Sequence, residues 1–445
     1  MCISPSGHEE RLHELCQAIG VSIPELYLPA HGLEYSRFAV VACDQFTSEP
    51  EYWEETARMT DHVPSAFHLV LPEYYLEHPG ETPLSERINR INRTMADYLS
   101  HGILRSIGHT AVVLKRTSRD GHGRLGLLLA VDLDQYDYTP GNRQLIRATE
   151  GTVIERLPPR MAIRKDALLE LPHVQLLIDD PGRTVIEPLF ATLARENNCL
   201  YDFDLMQGGG HLTGYRADAS SPALLEALSC LSRLESLVSD HLLFAVGDGN
   251  HSLATAKAHY DRQKTIVGPD HPSRFALVEV INIHDEGLEF EPIHRVVFDI
   301  DASDFRDEAL DFFGRDALSF SNAASDWEAL QPVILEDGSL SFPILQPDGH
   351  HLMRLTVGGS PLPAAEITRF LDELVMRRGC RIDYIHGAAV VAALAARGAT
   401  GILLPALDKG RFFSIIARDG ILPRKTFSMG EAHDKRYYLE ARKIV

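Results

Sequence analysis

Between Phe244 and Tyr260 the chain reads FAVGDGNHSLATAKAHY. A short apolar run stops at Gly-Asp-Gly-Asn-His, and an alanine-rich segment of helical character follows at once. A buried strand that ends where a helix begins is the junction of an α/β layer, and this constrains the fold more than any other stretch. Gly247 and Gly249 can take backbone angles barred to other residues and allow close approach. The amides of a first helical turn have no partner inside the helix and point outward with the positive end of its dipole, so a phosphate fits there. Neither G-x-x-x-x-G-K-[ST] nor G-x-G-x-x-G is present, because Ser252 follows the two glycines. On local pattern alone, a plain turn with Asp248 or Asn250 capping the helix is the simpler reading.

The rest of the chain repeats the α/β theme. RINRINRTMADYLSHGIL places Ile88, Ile91, Met95, Tyr98 and Leu99 at helical spacing, and PALLEALSCLSRLESL is a second amphipathic helix. AVVLKRTSRDGHGRLGLLLAVDL predicts a hairpin across SRDGHG, and LYDFDLMQGGGHLTGYRA two strands about a glycine-rich turn. VQLLIDD, HLLFAV and SRFALVEVINIHD are further buried strands. From about Asp299 the texture changes to short strands and helices. The expected architecture is therefore a mixed sheet with flanking helices. A main body spans residues 1–300, and an additional α/β part, residues 301–445, packs back to complete a cleft. A length of 445 residues exceeds what one core usually serves.

The formal net charge of −20 makes duplex DNA and anionic membranes poor partners, since the long-range field repels them. The six cysteines form no C-x-x-C pair, which argues against a disulfide framework or a structural zinc site. MCISPSGHEE lacks the basic and apolar regions of a secretory signal, and no apolar run is long enough to span a bilayer, so a cytoplasmic location is expected.

Against this acidity, LIRATEGTVIERLPPRMAIRK stands out. It carries Arg147, Glu150, Thr152, Glu155, Arg156, Arg160, Arg164 and Lys165. Arginine grips phosphate or carboxylate in bidentate fashion, and Pro158 and Pro159 predict a rigid, non-helical middle. Arg147 and Glu150 divide evenly between a ligand site and a surface salt-bridge loop. Arg156 and Arg164 read as structural. LPRKTFSMGEAHDKRYYLEARKI alternates cations with aromatic residues; Arg424 and Lys425 are its candidate phosphate contacts, while Lys435, Arg436 and Arg442 read as charges left exposed by a tail that docks through its aromatics. In VACDQFTSEPEYW, Asp44 and Gln45 leave a strand end, where α/β sites often lie, and Cys43 reads as a small buried residue. His211 follows three glycines, either in a loop near the site or in a plain hairpin turn. Asp248 can hold a divalent ion or take a proton from a hydroxyl, and His251 can move protons or bond a phosphate oxygen.

VGDGNHSLATAK resembles the ADGHHRYETA signature of the domain-of-unknown-function-1015 family. RATEGTVIERLPPRMAIRKDALLELPHVQLLIDDP, DYIHG and the C-terminal block resemble further blocks of that family in the same order. The signature is in turn similar to the nucleotide-binding motif of the ParB/sulfiredoxin superfamily, whose members include sulfiredoxin, ParB-type nucleotide hydrolases and kinases of free serine. This resemblance implies a ParB/sulfiredoxin-like core. It implies binding of a nucleotide or phosphorylated small molecule and phosphoryl transfer, kinase or phosphatase in type, on a small hydroxyl compound such as serine or phosphoserine. Asp248, His251 and Glu150 would be catalytic, with Asp248 also a candidate metal ligand. Arg147, Gly247, Gly249, Asn250, Ser252, Arg424 and Lys425 would bind the phosphate. Mg2+ with a nucleotide or pyrophosphate is the expected cofactor, with none intrinsic to the chain. Asn250 replaces the sulfiredoxin cysteine, so sulfinic acid repair is excluded, and Ser252 replaces an arginine, so the phosphate needs another cation. A non-catalytic nucleotide sensor and a metal-dependent hydrolase remain the alternatives.

Overall fold

The computed structural model describes the chain except residues 1–4, 78–79, 81, 153–156, 172, 238, 325, 336–338, 357–362 and 424. It divides into two compact units. The first comprises Met1–Glu289, Ile416–Ile421 and Met429–Val445; the second comprises Phe290–Ile415 and Leu422–Ser428. The units are therefore not consecutive halves of the chain. The division falls at Glu289, and the last stretch returns to the first unit.

The first unit is built on a mixed sheet that has eleven strands among the described residues. Across the sheet the order is 199–204, 211–218, 104–117, 123–132, 275–282, 175–178, 244–248, 146–147 and 136–137, with 21–22 and 25–29 attached off this path. Strand Phe244–Asp248 runs antiparallel to Gln175–Ile178 and parallel to Ile146–Arg147. The period-two alternation of a strand sorts side chains to its two faces. Val113, Leu127, Leu129, Val278 and Val280 enter one core, together with Leu189, Leu228, Leu253 and Tyr260 from helices Ile186–Glu196, Pro222–Leu237 and Asn250–Val267. Val112, Leu114, Leu128 and Leu277 enter the core on the other face, with Trp53, Ile91, Met95 and Tyr98 from helices Pro50–Met59 and Leu84–Ser100. The apolar spacing read from RINRINRTMADYL is the buried stripe of that last helix.

Pro158 and Pro159 do not break the chain. Helix Leu157–Arg164 contains both, because proline is tolerated in a first turn, where the missing N–H would have no partner.

The C-terminal tail is sewn onto the first unit. Tyr437–Tyr438 pairs antiparallel with Val40–Val41, and Arg442–Lys443 with Leu169–Glu170. Buried charges fix it in place. Glu279 receives Arg124, and Arg436 at 3.1 Å; Arg436 also meets Glu440. Arg442 donates to Glu170 at 2.8 Å. Burial pushes the Glu279 carboxyl up, but Arg124 and Arg436 together outweigh it and hold it below its ordinary value. Burial and the pair Arg442 and Arg164 do the same for Glu170.

The second unit has its own sheet, ordered 318–322, 349–355, 340–346, 400–402, 290–298 and 381–386, with 333–334 beside 340–346. Its core joins Val297, Ile344 and Met353 to Phe305 and Phe370 from helices Ala302–Phe313 and Pro363–Arg378. Among the described residues no helix of either unit is long and apolar enough to cross a membrane, and Cys16, Cys43, Cys199, Cys230 and Cys380 are free thiols.

Removing one partner of a buried ion pair strands the other charge, so Arg436→Ala is expected to lower unfolding free energy by about 3–5 kcal/mol in urea titrations. Carboxylates with lowered folded pKa stabilise above their unfolded value and lose that contribution as pH falls through the folded one. Arg436→Ala lets the Glu279 pKa rise, so its acid-unfolding midpoint, followed by circular dichroism, shifts to higher pH than that of the wild type.

Candidate phosphate site at the start of helix 250–267

Strand Phe244–Asp248 delivers Gly249 directly into helix Asn250–Val267. Gly249 is left-handed, with φ of 82°. A Cβ there would lie 3.0 Å from the Cα of Val174, so this position needs glycine for both angle and space. Gly247 has an ordinary φ. Its role is close approach: a Cβ would lie 2.7 Å from the Met429 sulfur. The first intrahelical bond runs from the Leu253 amide to the Gly249 carbonyl at 3.0 Å, so the amides of Asn250, His251 and Ser252 precede it.

Neither expected cap is used. Asp248 accepts through Oδ1 from the Gly249 amide at 2.8 Å, and its Oδ2 sits 3.2 Å from Lys435 Nζ. Asn250 is buried; its Oδ1 accepts from the Thr149 amide at 3.1 Å and its Nδ2 donates to Thr149 Oγ1 at 3.3 Å. Thr149 also donates through Oγ1 to the Val246 carbonyl at 2.5 Å. The segment carrying Glu150 is thereby clasped to the Gly-Asp-Gly turn. His251 lies in the first helical turn, half-buried, and its carbonyl accepts from Thr255 at 2.7 Å.

Ser252 leads to a second group. Its hydroxyl lies 3.1 Å from His173 Nε2, while His173 Nδ1 lies 2.6 Å from the Tyr438 hydroxyl. Asp44 Oδ2 is 3.8 Å from His173 Nε2. Burial pushes the Asp44 carboxyl up, yet His173, the Gln45 amide and Lys435 together hold it below its ordinary value, so it stays ionised at neutral pH. The Tyr438 hydroxyl donates to Cys43 Sγ at 3.1 Å, and burial with Asp44 pushes the thiol up to about 12, which leaves it a poor nucleophile. Asp44, His173, Ser252, Asp248 and Lys435 thus form one connected polar cluster at the mouth of the helix.

The other sequence candidates are distributed differently. Arg147 is buried opposite Ala245. Its guanidinium donates to the Gln144 carbonyl at 3.1 Å and to Asp240 at 3.1 Å, so a local ion pair consumes the cation expected to neutralise phosphate. Lys425 belongs to the second unit, where its carbonyl accepts from Arg295 at 3.0 Å. Arg424, Glu155 and Arg156 lie outside the described residues. His211 opens strand 211–218, which is paired on both sides, and lies 2.7 Å from Asp204 and 2.5 Å from Asp202 of the edge strand 199–204. Lys435, Arg436 and Arg442 are buried rather than exposed, because carboxylates of the sheet draw them inward, and Lys435 is the cation at Asp248. His173 carries no motif in the sequence; its one signal is a histidine just ahead of the apolar run VQLLI, a polar group at a strand mouth.

Among the described residues no three His, Cys, Asp or Glu side chains stand close enough to hold a metal. Both oxygens of Asp248 are already engaged. Among the described residues there is no all-protein cage for Mg2+; an ion carried by ligand phosphates would need only one or two carboxylates.

The family model described as Protein of unknown function (DUF1015) matches residues 27–370. No curated protein matches the chain. Similar solved structures include a conserved hypothetical protein from Pyrococcus furiosus, 13% identical, with a TM-score of 0.35, covering 71% of this chain and 94% of that one. A glutamate-to-alanine variant of a free serine kinase in complex with AMP is 11% identical, with a TM-score of 0.40, covering 71% and 92%. SbnI from Staphylococcus aureus, truncated at its C-terminus, is 10% identical, with a TM-score of 0.36, covering 68% and 82%.

A left-handed, backbone-crowded glycine tolerates a side chain worse than one facing a flexible methionine. Gly249→Ala is expected to lower stability by about 1–3 kcal/mol, and Gly247→Ala by less, with Met429→Ala restoring part of the loss. Urea midpoints of the three variants check the order.

Proposed function

The chain belongs to the family described as Protein of unknown function (DUF1015), and we propose that it binds a nucleotide or other phosphorylated small molecule and moves a phosphoryl group to or from a small hydroxyl compound. The observation that carries this reading is the Lys435 ammonium, buried and set against Asp248 at the start of helix 250–267. The helix offers its positive end, and Lys435 supplies the cation that Ser252 cannot. The likeness of GDGNHS to the ParB/sulfiredoxin motif supports the same placement. Asn250, bonded to Thr149, occupies the place of the sulfiredoxin thiol.

In this reading the amides of the first turn and Lys435 bind the phosphate, and Asp248 holds Lys435 and the Gly249 amide in register. His251 bonds a phosphate oxygen. The acceptor hydroxyl oxygen attacks phosphorus as its proton passes to a carboxylate, and the donor's bridging oxygen leaves with the bonding electrons. Two carboxylates compete for the role of base. Glu150 is favoured by likeness to the serine kinases, and Asp44 by its position beside His173 within the cluster.

Pyrophosphate or a nucleoside diphosphate, alone and with Mg2+, is expected to raise the melting temperature, because ligands that bind the native state stabilise it. Glu150→Gln and Asp44→Asn separate the two bases: the correct one loses turnover at least a hundredfold and keeps the ligand-induced shift. The absence of a shift with every phosphate compound contradicts the proposal, and shifts without turnover in the wild type leave a nucleotide sensor.

A further inference from the structure

A cavity of about 170 Å³ opens in the first unit beside the polar cluster. Its wall includes Ser252, His173 and Tyr438 from that cluster. Most of the remainder is apolar, with Leu69, Leu71, Met95, Ile163, Leu171 and Leu277 among the side chains. The charged groups in the wall come as balanced pairs: Glu73 with Arg160, and Arg164 with Glu170 at 2.6 Å. The space thus presents no net charge to a guest.

Helix geometry ties this space to the phosphate site. Ser252 and Ala256 both line it and are four residues apart, hence on one face and about 6 Å apart along the axis. A molecule whose oxygen lies at Ser252 can run along the helix and bury its body against Ala256. Serine would leave such a space empty and bring an ammonium and a carboxylate against apolar walls, where unpaired charge is strongly disfavoured. Apolar cavities of about 150 Å³ take up benzene-sized guests, so this one suits roughly six to eight non-hydrogen atoms.

We propose that this cavity is the binding pocket for the acceptor and that the acceptor is an alcohol with an uncharged aryl or branched-alkyl body, its hydroxyl at Ser252 and His173. The inference rests on the phosphoryl-transfer reading for the role of the hydroxyl end, but the pocket's preference for an apolar body is testable without it.

Benzyl alcohol is the probe, with serine as the polar control. Ligand-observed NMR is expected to show saturable binding of benzyl alcohol and none of serine. Methionine-methyl NMR is expected to show a shift of the Met95 signal and none of the exposed Met376. Ala256→Leu and Ala167→Leu fill the cavity from two walls, and each should weaken benzyl alcohol at least tenfold while the pyrophosphate-induced melting shift persists. If benzyl alcohol fails to bind, if Met95 stays still on its addition, or if both filled variants bind it as the wild type does, the pocket is not an apolar subsite. Should a filled variant fail to fold, the Met95 shift in the wild type decides the matter. Benzyl alcohol binding without any effect of phosphate compounds would sustain the pocket and overturn phosphoryl transfer; the reverse pattern would do the opposite.

Discussion

The buried carboxylate of Glu279 governs the first unit. It lies in strand 275–282 at the centre of the sheet and is met by Arg124 from the neighbouring strand and Arg436 from the tail. A charge this deep is tolerated only when paired. Pairing it with Arg436 brings in the neighbours of Arg436 on both sides. Lys435 reaches Asp248, and Tyr438 reaches His173. The chemical character of the helix start therefore depends on an ion pair between residues 157 positions apart.

The site itself is a compromise among charges. Lys435 sits 3.2 Å from Asp248 and helps to lower the Asp44 pKa, so its charge is balanced by nearby carboxylates. Under the proposed function, an incoming phosphate would replace part of that carboxylate field with its own, and the helix dipole would add to the attraction. His173 links this polar end to the apolar space through Ser252. The two proposals together give one helix face an anion site at its first turn and an apolar wall one turn later, a pairing that would suit a phosphorylated molecule with an apolar body.

What was legible in the sequence follows from distance along the chain. Apolar periodicity showed the strands and helices because their burial repeats every second residue or every turn. The Gly-Asp-Gly junction was equally plain, since its demands are local: Gly249 needs a left-handed angle and Gly247 needs space. Cationic density around Arg147 does not reveal an Asp240 that folds back from 93 positions away to pair with it. Lys435 was passed over for the converse reason. A basic tail looks like solvated surface until Glu279 and Glu170 are known to draw it inward. Asp44 was visible only as a strand end; its low pKa comes from His173 and Lys435, both remote in sequence.

The central claim is that Lys435 and the first turn of helix 250–267 bind phosphate. Isothermal titration of pyrophosphate into the wild type and into Lys435→Gln, at constant ionic strength, tests it most directly. Saturable binding by the wild type that weakens at least tenfold in the variant is the predicted result. Equal affinities in the two proteins would contradict the account.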